Sequence, residues 1–180
     1  MNDERGGLRE RLVRVAMSML ADGSGELSLR SVARAAGVSA MAPYRHFPDK
    51  AALLGAVADA GFELLRAALA AADATASGRE ALVAQGLAYL AFAQAHPALF
   101  RLMFSGRSDC VEPREPGQSA YAVLAGRVER IVPDAAAAAT ATTAAWAIVH
   151  GLAMLALDGR VAPAPDEARS VLALFTSGLG

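Results

Sequence analysis

The side chains with the widest chemical repertoire are few in this chain and stand apart. Its three histidines fall at 46, 96 and 150, and its one cysteine is Cys110. No His-x-x-x-His, Cys-x-x-Cys or acidic cluster offers metal-ligand spacing, and no Gly-rich phosphate loop or nucleophile elbow occurs. Cys110 lacks a neighbouring base strong enough to activate it. Neither catalysis nor a metal or other cofactor is expected. A different chemistry is concentrated between Leu27 and Leu54, in LSLRSVARAAGVSAMAPYRHFPDKAALL. Ser28, Arg30, Ser39, Tyr44, Arg45, His46 and Lys50 supply hydroxyl, imidazole, guanidinium and ammonium donors, the groups that hold phosphates and base edges. Lys50 is the only lysine in the chain. It falls in the first turn of an expected helix, where the macrodipole disfavours a cation unless an anion shares the site. The plain alternative is a solvated lysine.

The elements that must position these groups follow from spacing. Leu29, Val32, Ala33 and Ala36 recur at i, i+3, i+4 and i+7, one face of a helix. Ser28 precedes that face as a cap, and Gly37 follows it where a helix stop favours positive φ. Val38 plugs the angle, and Ser39 is placed to cap a second short helix, Ala40 to Phe47. Two helices joined by a short Gly-containing turn make a helix-turn-helix, whose second helix enters the DNA major groove. Pro43 is a complication. It has no N–H and clashes with the carbonyl four residues back, that of Ser39, so it shortens or tilts the first turn. Pro48-Asp49 then breaks the chain and caps a long helix reaching about Ala72, with Leu53, Leu54, Val57, Gly61, Leu64, Leu65 and Ala68 inward. Upstream, Met1 to Gly7 reads as loose. Leu8, Leu12, Val15, Ala16 and Met19 make the stripe of a first helix ending near Ala21. Arg5, Arg9, Arg11 and Arg14 either steer the chain to DNA or form a solvated face.

Gly37-Val38-Ser39, Tyr44, His46-Phe47, Lys50 and Leu53-Leu54 together resemble the signature of TetR-type transcriptional regulators; Pro43 stands where that family usually has an aliphatic residue. The resemblance implies that Arg30, Ala40, Met41, Ala42 and Arg45 read bases, with guanidinium contacts to guanine and apolar contacts to thymine methyls. Tyr44, His46, Lys50, Ser28 and Ser39 would then hold phosphates.

The rest of the chain is apolar and helical. Residues 79 to 95 are apolar nearly all round, the pattern of a buried helix. His96-Pro97 starts a short helix, PALFRLMF, with His96 as its expected cap. Ser105 to Pro116 reads as a loop, and Gly117 to Val132 as a helix. Ala135 to Leu157 carries no charge over 23 positions. That is long enough to span a membrane, but the run is Ala- and Thr-rich and holds His150, so an interface helix is expected instead. Pro163 and Pro165 precede a last helix, about 166–178. Two long apolar helices at the end of the chain suit a two-fold four-helix interface. Phe62, Tyr89, Phe92, Phe100 and Met103 are either ordinary core or the lining of an apolar pocket. The same choice applies to Phe104, Tyr121, Trp146, His150 and Met154, with Tyr89, His150 and Trp146 as polar handles. Tyr89, Phe92-Ala93, His96-Pro97 and Phe100 to Phe104, with Trp146 and His150-Gly151, resemble the TetR subgroup carrying a Trp-x-x-x-His-Gly motif.

Net charge is −1, so the chain is not a generally basic nucleic-acid binder. Residues 1–50 hold eight Lys/Arg against six Asp/Glu, and the remainder nine against twelve, so the small basic excess lies with the helix-turn-helix. A single cysteine and no secretory signal fit the cytoplasm. The expectation is an all-α protein of about nine helices. A three-helix DNA-binding domain at 1–48 is followed by a ligand-binding and dimerisation domain at 49–180. Double-stranded operator DNA, a small apolar ligand and a second copy, paired through about 135–157 and 166–178, are the expected partners. Two alternatives stand beside it: an enzyme or small-molecule carrier containing a helix-turn-helix-like packing unit, and a membrane protein spanning at 135–157.

Overall fold

The computed structural model describes residues 3–23, 27–105, 119–161 and 163–179. Among them the chain is all-helical. The helices are α1 (Asp3–Ala21), α2 (Leu29–Ala35), α3 (Lys50–Asp73), α4 (Gly78–Ala95), α5 (Pro97–Met103), α6 (Ala120–Glu129), α7 (Ala135–Leu157) and α8 (Pro165–Ser177), with a 3₁₀ turn at Pro43–Arg45 between α2 and α3. The expected loop over Ser105 to Pro116, with Cys110, lies almost wholly outside the described residues. α1 starts at Asp3, earlier than the loose Met1–Gly7 segment expected from composition.

Two compact units divide the chain: Met1–Gly61 with His96–Glu112, and Phe62–Ala95 with Pro113–Gly180. This division differs from a boundary at 48/49, because α3 contributes to both units and α5 belongs with the first. In the first unit, α1 packs on α2 and α5. Leu12, Val13 and Ala16 of α1 are buried, as are Leu29, Val32 and Ala33 of α2. Gly61 is needed where α3 meets α5. A Cβ there would lie 2.7 Å from Met103 Sδ and 3.0 Å from Leu99 Cδ1. Leu64, expected inward, is 46% exposed.

In the second unit, α4 packs against α6, α7 and α8, and α6 packs on α7. Leu82, Leu124, Val128, Val132 and Ala145 form a buried cluster, flanked by Trp146 and Phe175. Gly86 lets α8 approach α4: a Cβ on it would stand 2.7 Å from Leu172 Cδ1. α7 is apolar but carries three threonines whose hydroxyls donate to carbonyls four residues back, Thr142 to Ala138 at 2.8 Å among them. That back-bonding is how a hydroxyl is satisfied inside a helix with no other polar partner. Asp134 caps α7 by accepting from the Ala137 N–H at 2.8 Å.

Candidate functional site

Local chemistry holds the helix-turn-helix in shape. Ser28 Oγ accepts from the Ser31 N–H at 3.1 Å, and Ser31 Oγ accepts from the Ser28 N–H at 2.9 Å, a reciprocal capping box on α2. At the other end Val38 N–H donates to Ala33 O at 3.0 Å and Gly37 N–H to Arg34 O at 3.1 Å. Gly37 has φ +67°. These bonds make a Schellman stop, which needs a residue free to adopt the left-handed region.

The second helix differs from expectation. Ala40 to Phe47 is not an α-helix; Ala40 to Ala42 form a turn and only Pro43–Arg45 are helical, as one 3₁₀ turn. The cause is Pro43. An α-helix would need its N–H to reach Ser39 O, and it has none. The Ala42 N–H takes that carbonyl instead, at 2.9 Å, and the tighter spacing continues with Arg45 to Ala42 O and His46 to Pro43 O. Ser39 Oγ also accepts from the Met41 N–H at 3.3 Å.

All ten sequence-nominated DNA contacts lie in the first unit, between residues 28 and 50. Arg30, Ser39, Ala40, Met41, Tyr44, Arg45 and Lys50 are exposed, with Met41 at 67%. Ala42 and His46 are half-buried, and Ser28 is half-buried with its hydroxyl committed to the capping box. Asp49 caps α3, accepting from the Ala52 N–H at 2.8 Å. A phosphate at this helix end would therefore meet Lys50 and the remaining first-turn N–H groups. Two of the upstream arginines have structural partners. The Arg9 guanidinium lies 5.3 Å from the centroid of the buried Phe47 ring, and Arg11 donates to Ala36 O.

The second unit holds an apolar cavity lined by α3, α4, α6, α7 and α8. Leu69, Leu82, Leu124, Val149, Leu172 and Phe175 are among its walls, and it offers about 30 Å³ to the centre of a water molecule. That admits one or two waters, far below the several hundred Å³ of a drug-sized site. Of the ten nominated pocket residues, only Tyr89 and Trp146 line it. His150 stands behind Tyr89: its Nδ1 and Tyr89 Oη share a hydrogen bond of 2.9 Å. Trp146 packs edge-on against Tyr89, centroids 5.3 Å apart, and against the exposed Tyr121 at 5.7 Å. Trp146 and His150 are thus one turn apart on α7 and clasp the same α4 side chain. Burial pushes the His150 imidazole below its usual pKa. Phe100 and Met103 of α5 and Phe104 at its C-cap are elsewhere, in the first unit, where the Phe100 and Phe104 rings meet at a tilt with centroids 4.8 Å apart. Phe62, Phe92 and Met154 do not line the cavity. His96 holds the N-cap position of α5 without a capping hydrogen bond from its side chain.

Sequence reasoning missed a polar cluster beside the cavity. Arg127 on α6 donates from Nε to Asp73 Oδ1 and from Nη2 to Oδ2, both at 2.7 Å. Gln85 Nε2 donates to Asp73 Oδ1 at 2.6 Å, and Arg130 lies 3.8 Å from Oδ2. The Arg127 hydrogen bond holds the Asp73 carboxyl below the ordinary carboxylate pKa, outweighing the opposing effect of burial. Partners 12 and 54 residues apart leave no local pattern. The only hint is a glutamine and an arginine set in otherwise apolar helix faces.

A capped helix-turn-helix joined by a long helix to an all-α unit with an internal cavity defines a DNA-binding transcription regulator rather than an enzyme. Residues 12–57 match the bacterial regulatory proteins of the tetR family, and residues 82–177 match the tetracyclin repressor-like C-terminal domain. The chain belongs to the TetR family. It is 37% identical to a protein of unknown function from Rhodococcus sp. RHA1, covering 96% of this chain and 95% of that one, with a TM-score of 0.75. A TetR family transcription regulator from Marinobacter aquaeolei VT8 shares the fold at 19% identity, with 98% and 97% coverage and a TM-score of 0.71. The TetR-like regulator LfrR from Mycobacterium smegmatis, solved in complex with proflavine, is 25% identical over 100% of this chain and 99% of its own, with a TM-score of 0.51. No curated protein sequence matches the chain.

Proposed function

We propose that this regulator is a cytoplasmic repressor that binds a pseudo-palindromic operator as a homodimer and leaves it when a small apolar molecule enters the second unit. The observation that carries the reading is the internal apolar cavity, with α3 in its wall, in a chain whose helix-turn-helix ends at the start of that same helix. A relative bound to proflavine supports a small-molecule effector. Residues 1–48 read DNA and residues 49–180 bind effector and dimerise. Arg30 and Arg45 choose bases with Ala40, Met41 and Ala42, while Tyr44, His46 and Lys50 grip phosphates.

α7 and α8 form the dimer contact. Only 22% of the most apolar window of α7 is buried within one chain, and Leu174 of α8 is 77% exposed. Ala136, Ala137, Thr140, Ala141 and Ala144 line a shallow groove beside Phe175, small residues that let another helix come close. A second copy accounts for this apolar face more economically than lipid does, since TetR regulators are soluble. Two first units then stand about one DNA turn apart, roughly 34–36 Å. Effector binding moves α3 and changes that spacing. A coupling of about 1–3 kcal/mol weakens operator binding roughly 5- to 150-fold.

The deciding experiment is a gel-shift titration with DNA flanking the protein's own gene, at several salt concentrations. A sequence-selective, salt-sensitive shift is expected. Its absence would favour a small-molecule carrier built around a helix-turn-helix-like unit.

A further inference from the structure

The polar cluster beside the cavity has a fixed orientation. Asp73, held ionised by Arg127, can only accept hydrogen bonds. The Gln85 amide must therefore turn its NH₂ toward Asp73, and it does so at 2.6 Å. Its carbonyl oxygen is left pointing away from the carboxylate. Gln85 is 2% exposed, and its Oε1 finds no hydrogen-bond partner among the described residues. The same residue lines the cavity.

A buried, unpartnered acceptor is costly, and a molecule that brings a donor to it recovers that cost. Two other hydroxyls in the cavity wall have partners of their own. Thr176 Oγ1 donates to Ala173 O at 3.1 Å, and Tyr89 Oη is bonded to His150. We infer that the cavity selects apolar molecules carrying one N–H or O–H donor, and that Gln85 Oε1 receives it. Molecules whose only polar atom is an acceptor, such as ethers and ketones, are disfavoured, because the amide cannot flip while Asp73 is charged. Asp73 is the last residue of α3, so the donor pulls on an amide anchored directly to that helix. The inference rests on the proposed effector role for the cavity and specifies the effector's chemistry.

The test uses phenol and toluene, which match in shape but differ in one hydroxyl. The cavity at rest holds one or two waters, so either probe enters only as the walls part, at a similar cost for both. Trp146, the only tryptophan in the chain and a wall of the cavity, reports occupancy when excited at the red edge of its absorption. In the wild-type protein phenol should bind at least as tightly as toluene, although toluene is the more apolar. In Gln85→Leu the preference should swing toward toluene by about tenfold or more, the loss expected for an unmade buried hydrogen bond. An unchanged preference, or no Trp146 response to either probe at saturation, overturns the inference. Should Gln85→Leu not fold, a structure of the wild-type protein with phenol decides. A hydroxyl within hydrogen-bond distance of Gln85 Oε1 supports the inference, and phenol seated elsewhere overturns it. Operator binding is measured separately in the same samples. Donor selectivity without any change in DNA affinity would uphold the cavity chemistry while removing the effector role.

Discussion

Asp73 is the most heavily committed carboxylate among the described residues, with Arg127 bidentate on it and Gln85 adding a third bond. Breaking a buried ion pair by removing one partner costs about 3–5 kcal/mol. The Asp73 side chain keeps 19% of its surface in water, so Asp73→Asn is expected to cost somewhat less, about 2–3 kcal/mol in urea unfolding. The pH dependence has a definite sign. A carboxyl whose folded pKa is depressed stabilises the fold above its ordinary value of 3.8 and loses that contribution as pH falls through the folded value. The gap between wild type and Asp73→Asn should stay level above about pH 4 and close in stronger acid; a gap that persists there contradicts the assignment. His150 titrates in a different window. Its half-buried imidazole has a lowered pKa, so the unfolded chain takes up a proton first, and stability falls as pH drops below 6.5. Matching stability profiles for wild type and His150→Asn between pH 5 and 7 would show that burial does not control this group. At the DNA-facing end, Lys50→Ala should weaken binding to all sequences alike and reduce the salt slope by about 1, since a phosphate contact carries no base information. An unchanged slope removes Lys50 from the interface.

The elements were legible wherever a stop or cap is encoded locally. The charge-free run Ala135 to Leu157 gives α7 to the residue, and Gly37 gives the stop of α2. Gly37→Ala forces a Cβ into the left-handed region at φ +67° and is expected to cost about 1–2 kcal/mol, read as a lowered urea midpoint with an unchanged m-value. The 3₁₀ turn was harder to read, although its cause, Pro43, is plain in the sequence. A missing donor at the first turn can tilt a helix or abolish it. The outcome depends on which N–H claims the Ser39 carbonyl, and here it is that of Ala42. The aromatic run of α5 misled for another reason. Phe100, Met103 and Phe104 carry the spacing of a buried face, but spacing does not say which core receives it. Met103 packs against Gly61, about forty residues earlier, and no periodicity reports a contact at that range.

On the scale of the whole molecule, the two end helices were readable as an apolar pair because little else in the chain could leave so much hydrocarbon uncharged. Their role in pairing is a prediction. Leu174→Glu would set a charge where Leu174 is 77% exposed on one chain. The expected result is a monomer by light scattering, with the fold intact by circular dichroism and operator affinity sharply reduced. A variant that remains dimeric would move the interface elsewhere. An apolar space between central helices was expected from composition, but the polar cluster beside the cavity was not. Asp73, Gln85 and Arg127 meet only once α3, α4 and α6 are packed.

The three-residue turn at Pro43–Arg45 bears on how many genomic sites the protein can distinguish. A 3₁₀ segment rises about 2.0 Å per residue, so this one is about 6 Å long. Base pairs follow one another every 3.4 Å or so along the duplex, and the backbone of the turn spans fewer than two such steps. A recognition helix of eight residues would track about 12 Å at 1.5 Å per residue. Of the proposed base readers only Arg45 lies in that turn and Ala40 to Ala42 lie in the irregular turn before it, so no continuous helix tracks the bases and the half-site vocabulary of this regulator is short. The separation of the two half-sites must then carry much of the information that singles out an operator, and a catalogue of its bound sequences should show a loose half-site consensus with a strictly kept spacing.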